Sequence, residues 1–178
     1  KEMINECLSA DSEFGGVLLN DDQLCNVGCT AKVTQVYKKH ADGKMDILSE
    51  GQRRFHVLEF MQRDDSLDAV IEYFDDDSEE VADELLEGVL ESYQSMVNLQ
   101  TKGIGGVKGL FDPRQFSFFI ASPTDMALEE KQTLLELTST AERMRKLEVS
   151  LGQIVKQLEG LARIERAASL NGHGKHEH

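Results

Sequence analysis

The chain is 178 residues long, 40% hydrophobic, with only two prolines and a formal net charge of -14. That is enough for one good core or for two small domains sharing an interface, and it is too apolar for a disordered chain. No run of about 18 apolar residues is present to cross a bilayer, and the acidity repels phosphate backbones and anionic lipid heads, so neither nucleic acid nor membrane is an expected partner.

The opening "KEMINECLSADSEF" sets Met3, Ile4, Cys7 and Leu8 at helical spacing before "SADS" breaks the pattern. From Phe14 to Phe74 the period becomes two. Cys29, Ala31 and Val33 alternate with Thr30, Lys32 and Thr34, and Leu67, Ala69, Ile71 and Tyr73 alternate with Asp68, Val70 and Glu72. Four or five strands in consecutive hairpins are expected, with "HADGK" supplying the Asp-Gly turn at Gly43 and Gly51 hinging the next two segments. Strict alternation would put Arg54, His56, Leu58 and Phe60 on one face and Phe55, Val57, Glu59 and Met61 on the other. Both faces are then largely apolar, which suits a small barrel or pseudo-barrel.

After Tyr73, "FDDDSEEVADELLEGVLESYQSMVNL" turns helical, with Val81, Leu85, Leu86, Val89, Leu90, Tyr93, Met96 and Val97 on one stripe and Ser78 as the expected N-cap. Residues 59–91 hold fourteen acidic side chains and one base, Arg63, so -13 of the net charge sits there. Asp75, Asp76, Asp77, Glu79 and Glu80 are expected at the positive end of that helix dipole, which gives the acidic band a structural role. Docking a basic partner is the competing reading.

Residues 98–115, "NLQTKGIGGVKGLFDPRQ", read as a glycine-rich hinge carrying Ile104, Val107, Leu110 and Phe111. "RQFSFFIAS" is a short apolar element, and "MALEEKQTLLEL" an amphipathic helix. A long helix then opens on a capping box, Ser139 to Glu142, and repeats apolar residues at 141, 144, 147, 151, 154, 158 and 161. That spacing suits a coiled-coil seam joining a second copy and equally a helix lying across a bundle. The tail "NGHGKHEH" is expected to be disordered.

Reactive constellations are not apparent. Gly43-Lys44 is followed by Met45 and Gly174-Lys175 by His176, where a phosphate-binding loop needs Ser or Thr, and "GIGGVKG" carries Lys108 at the third glycine of a dinucleotide fingerprint. His40 falls in a turn and His56 in a strand, with no Gly-x-Ser-x-Gly elbow. The pairs Asp21-Asp22 and Glu129-Glu130 stand where turns and helix starts favour carboxylates. Zinc would need two ligands beyond Cys25 and Cys29, and the remaining candidates, His173, His176 and His178, are far away in the tail. Three cysteines, Cys7 included, cannot all pair with one another, so reduced thiols in a cytoplasmic protein are the expectation. No cofactor, no metal and no enzymatic activity are expected.

The order "FGGVLL", "VGCTAKVTQVYKKHADGKMDILSEGQRRFHVLEF", "FDPRQFSFFIAS" and "LEEKQTLLELTSTAERMRKL" resembles the substrate-binding N-terminal domain of Lon-type proteases over most of residues 2–160. The resemblance implies an α+β fold: a PUA-like antiparallel β pseudo-barrel over residues 1–75, a helical subdomain with one long helix over 76–170, and a tail over 171–178. Its motif residues here are Gly43, Gly51, Arg53, Arg54, Phe55, Asp112 and Pro113. The chain opens at the equivalent of the family's first helix, so the first strand is expected to be missing and the sheet to have an open edge. The ATPase and serine-lysine proteolytic modules of full Lon are absent, as in stand-alone bacterial Lon-domain proteins, so the resemblance transfers recognition of polypeptides and not hydrolysis. Unfolded or misfolded polypeptides are the implied partners, held by Ile104, Val107, Leu110 and Phe111, with a separate protease or ATPase chain as a collaborator. RNA binding, which PUA-like barrels often perform, is the alternative that the charge opposes, and an enzyme with a scattered site is a third. Arg53 and Arg54 are expected one on each sheet face, as architecture with partners inside the fold.

Overall fold

The computed structural model describes residues 2–63, 66–101 and 112–172. The chain divides into two compact units, Lys1–Asp75 and Asp76–His178. The first holds helix α1 (Glu2–Ala10) and strands β1 (Phe14–Asn20), β2 (Gln23–Lys39), β3 (Met45–Arg63) and β4 (Ser66–Phe74). The second holds α2 (Asp83–Thr101), α3 (Pro113–Ala121), α4 (Leu128–Glu136) and α5 (Thr140–Gly172). The α+β class, with an antiparallel β-rich front and a helical rear containing one long helix, is the one expected from periodicity.

The four strands form one antiparallel meander in the order β1-β2-β3-β4. Turn chemistry sets the hairpins. Asp21 and Asp22 adopt φ of 45° and 63°, the paired left-handed conformation of a two-residue hairpin loop, and Gly43 takes φ 80° at the next turn. The long strands serve two ladders each: β2 pairs with β1 from Gln23 to Ala31 and with β3 from Val27 to Lys39, while β3 pairs with β4 from Arg54 onward. Through this stagger one sheet carries all four strands, and β1 and β4 do not pair with each other among the described residues.

Gly51 is not a break between two strands; β3 runs through it. The ladder nevertheless slips there, because Cys29 opposes Arg54 and Ala31 opposes Gly51, leaving Gln52 and Arg53 against Thr30. The Thr30 hydroxyl repairs the gap, accepting from Arg53 N at 3.1 Å and donating to Arg53 O at 3.3 Å. A second slip lies between Val57 and Glu59. It inserts Leu58 and exchanges the faces beyond it. Phe60 therefore opposes Ala69 and shares a face with Phe55 and Val57, while Glu59 and Met61 share a face with Arg54 and His56. The strict alternation expected along 54–61 is corrected at this one residue.

The sheet core is small: Cys7, Val27 and Phe55 are its buried hydrophobics among the described residues. Phe55 fits because Gly28 has no side chain. A Cβ at Gly28 would stand 2.6 Å from Phe55 Cζ and press on the Gly16 carbonyl oxygen.

The helical unit carries the larger core. Val89, Tyr93 and Met96 of α2 meet Phe116, Ile120 and Ala121 of α3, Leu134 of α4, and Met144, Leu147 and Leu151 of α5. These are the stripes that the periods of three and four mark, and burying each large side chain is worth about 1.5–3 kcal/mol. Two local expectations are corrected. Helix α2 starts at Asp83 and not at a Ser78 cap, and Asp76, Asp77 and Glu79 bond to the start of α5. Past Leu158 the stripe on α5 emerges, with Leu161 and Ile164 59% and 67% exposed.

Candidate functional site

The four residues expected to hold polypeptide, Ile104, Val107, Leu110 and Phe111, lie outside the described residues. The Asp112-Pro113 motif beside them caps a helix. The Asp112 carboxylate accepts from Arg114 N at 3.0 Å, and Pro113 fills the first helical position, where no N–H is needed.

Arg53 and Arg54 stand on opposite faces of β3. Each lies over an aromatic ring of β4: the Arg53 guanidinium carbon is 3.7 Å from the Tyr73 centroid, and that of Arg54 is 4.5 Å from the Phe74 centroid. His56 stacks on the same Phe74 ring at 4.3 Å, on the face of Arg54. Arg54 is buried and Arg53 exposed. Packed over rings at the point where β3 changes ladder partner, the pair ties β3 to β4.

Burial pushes the Cys29 thiol up, beyond what the Gln52 backbone contact and the Arg54 charge take back. Such a thiol is a poor nucleophile and a poor metal ligand. No group of three or more His, Cys, Asp or Glu positioned to hold a metal occurs among the described residues. His40, at the hairpin turn, bonds Asp46 at 3.0 Å and so props the turn.

A polar cluster in the helical unit was not visible from local spacing. Arg143 and Asp76 are both fully buried. Arg143 donates through Nη1 to Asp76 Oδ1 at 3.3 Å and to Leu137 O at 2.7 Å, through Nε to Ser117 Oγ at 2.7 Å, and through Nη2 to Asp76 Oδ2. Thr140 Oγ1 donates to Asp76 Oδ2 at 2.9 Å, and the guanidinium lies 4.1 Å from the Phe118 ring centroid. A cluster so densely bonded and so fully buried anchors the chain. Next to it, Ser139 Oγ and Ala141 N both donate to Glu79 Oε1, at 2.7 and 2.8 Å. These bonds, the hydroxyl first, hold the Glu79 carboxyl below its usual 4.5.

What the sheet unit does offer is surface. Between β3 and β4, Val57, Phe60, Leu67, Ala69, Ile71 and Tyr73 share one face, with Gln62 and Arg53 at its ends. Phe55 is the buried member of the same face, and Leu67 and Tyr73 remain 49% and 44% exposed. Apolar area of this kind, left open on a two-stranded edge, marks an interaction surface more often than a catalytic one.

The architecture is therefore α+β in two units, a four-stranded antiparallel sheet with half-exposed apolar side chains and a set of helices. The chain belongs to the substrate-binding domain family of the ATP-dependent protease La (LON), whose sequence pattern matches residues 1–152. It is 29% identical over 143 residues to Lon protease 2 of Herpetosiphon aurantiacus and 30% identical over 133 residues to Lon protease of Halothermothrix orenii, matches that cover 77% and 71% of this chain. The chain spans 17% of the length of each of these relatives. In fold it is similar to the Lon N-terminal domain protein from Xanthomonas campestris, with TM-score 0.60, 20% identity and 82% of this chain and 80% of the other covered. It also resembles the N-terminal domain of Mycobacterium avium complex Lon protease, with TM-score 0.57, 18% identity and coverage of 84% and 82%. No described helix is long and apolar enough to cross a membrane.

Proposed function

We propose that this chain is a recognition module that holds unfolded or exposed apolar segments of other polypeptides. The observation that carries the reading is the family match across residues 1–152, because the family is described by substrate binding and the substrate of a protease is polypeptide. The half-exposed apolar face between β3 and β4 supports it, since a water-exposed surface of that composition gains most from covering apolar segments that folded proteins hide. The net charge of -14 speaks against an RNA ligand. Self-association belongs to the same proposal, with Leu161 and Ile164 of α5 meeting a second copy; sedimentation of the Leu161→Glu variant against the unaltered chain reads it.

Titration calorimetry tests the main reading. A reduced, carboxymethylated protein that stays unfolded should release heat on mixing with this chain, and the same protein in its native disulfide-bonded state should not. No heat from the unfolded form at roughly 100 μM, a concentration that captures binding free energies of about −5 to −6 kcal/mol, overturns it.

A further inference from the structure

We propose that a small polar cavity of the helical unit, lined by the start of α4 and the middle of α5, binds a primary alkylammonium group such as the end of a lysine side chain. The inference deepens the polypeptide-recognition reading above, on which it rests for lysine as the source of that group.

The cavity has a volume of about 120 Å³. Asp125, just before α4, and Glu130, on its first turn, supply two carboxylates. Ser150, Gln153 and Gln157 line it from one face of α5, at spacings of three and four. Met126, buried in the helical core, and Ile154, half-buried against it, give the wall its apolar part. No lysine, arginine or histidine stands among these lining residues.

A second observation concerns bonds that are not made. Glutamines on the other helices pair along their own helix: Gln94 donates to Asn98 Oδ1 at 3.0 Å and Gln132 to Glu136 Oε1 at 2.8 Å, each four residues on. Gln153 and Gln157 have the same spacing. Yet their carboxamides, like the Asp125 carboxylate, bond to no other group among the described residues. Glu130 spends Oε2 on Ala127 N at 3.1 Å, which closes the capping turn of α4, and Oε1 is left for another donor.

Carboxylate, hydroxyl and carboxamide acceptors around one cavity, with no cation in its wall, select a ligand that brings positive charge and several N–H donors. An ammonium group has three donors on a compact charge, and its aliphatic stem can lie on Met126 and Ile154. At roughly 30 Å³ per water the space holds about four waters, which suits that head and a short stem. A divalent cation fits less well, because no three His, Cys, Asp or Glu among the described residues come together to hold one. An anion is repelled by both carboxylates.

Amide-detected heteronuclear NMR of the full chain reads the cavity directly, because the side-chain amides of Gln153 and Gln157 give their own signals. Butylammonium chloride should shift both signals and saturate in the low millimolar range, whereas n-butanol, similar in size and uncharged, should leave them in place. Asp125→Asn and Gln153→Ala should each raise the half-saturating concentration at least about fivefold, the Gln157 signal serving as the readout in the second. Both replaced side chains are exposed, and the comparison of ammonium with alcohol on the unaltered chain holds even if a variant fails to fold. Equal shifts with the alcohol, or half-saturation unchanged by Asp125→Asn, overturn the site. An unfolded peptide with one lysine should shift the same two signals, and its norleucine counterpart should not. If butylammonium binds and the lysine peptide does not, the site takes free amines and lysine as its source is overturned. If carboxymethylated protein releases heat while butylammonium moves neither signal, polypeptide recognition stands and this cavity is no part of it. If butylammonium binds and no unfolded polypeptide does, the recognition reading falls and the ammonium site remains.

Discussion

Asp76 and Arg143, sixty-seven residues apart in sequence, are buried against each other with no solvent exposure on either side chain. Asp76 is the first residue of the helical unit, two positions after β4 ends, and Arg143 sits on the first turn of α5. The pair thus fastens the chain's entry into the bundle to its longest helix. A buried ion pair is held on balance by the bonds around it, here Thr140, Ser117 and the Leu137 carbonyl. Removing Asp76 strands the buried Arg143, and removing Arg143 leaves buried Asp76 with the half-exposed Arg114, 3.5 Å away, as its remaining cation. Arg143→Met and Asp76→Asn should each destabilise the helical unit by about 3–5 kcal/mol in urea titrations followed by far-UV circular dichroism. The double variant Asp76→Leu with Arg143→Met should recover part of that loss, because no uncompensated charge remains. Equal and additive losses would show that packing around Phe118 matters more than the charge pair.

Arg54 tests the distinction between architecture and ligand contact. Its guanidinium lies over Phe74, and its loss should cost about 1–2 kcal/mol through the ring contact and the packed stem. Thermal unfolding of Arg54→Met should show that loss, with binding of carboxymethylated protein unchanged at temperatures where the sheet remains folded. Arg54→Lys should fall between, since an ammonium lacks the flat face that covers a ring. Reduced binding at unchanged stability would make Arg54 a contact residue.

The Thr30 hydroxyl makes two bonds to the backbone of Arg53 where the β2-β3 ladder slips, and the residue is 5% exposed. Thr30→Val keeps the shape and removes both bonds. The part-buried N–H and C=O of Arg53 are then left without this partner, a cost of about 1 kcal/mol. Thr30→Ser should retain most of the stability. Amide exchange at Arg53 offers a local readout, because its N–H should exchange far faster in the valine variant than in the serine variant.

The contrast between the two halves explains what the sequence discloses. The stripe Val89, Tyr93, Met96 and the series Ala141, Met144, Leu147, Leu151 are legible because a helix repeats its geometry every three or four residues and the core follows it. The Asp-Gly turn at Gly43 is legible because its backbone conformation selects few residue types. The slip at Leu58 has no such signature: nothing in "HVLEF" separates a bulged leucine from a regular one, yet it decides which face Phe60 and Glu59 occupy. Arg143 is hidden for the same reason. It lies between two core positions of α5, and its partners Asp76 and Ser117 are 67 and 26 residues away, so only the folded chain brings them together.

Glu79 links the acidic band to acid stability. Its carboxylate caps α5 by accepting from Ser139 Oγ and Ala141 N, and those two bonds, with the Arg145 charge as a lesser cause, lower its folded value below 4.5. A carboxyl whose folded value is depressed favours the native state fully above the unfolded value, and the benefit disappears as pH falls through the folded value. The unaltered chain should therefore lose stability as pH falls below the usual carboxylate range and through the lower folded value, in part because protonated Glu79 can no longer accept both bonds as an anion. In Glu79→Gln that component is missing: the variant should be less stable than the parent near neutral pH and should approach it as acid protonates the parent's carboxylate. Urea midpoints at a series of pH values measure the gap directly. A gap that stays constant across the acid range would mean that Glu79 acts as a neutral acceptor would, and that its charge contributes nothing at the start of α5.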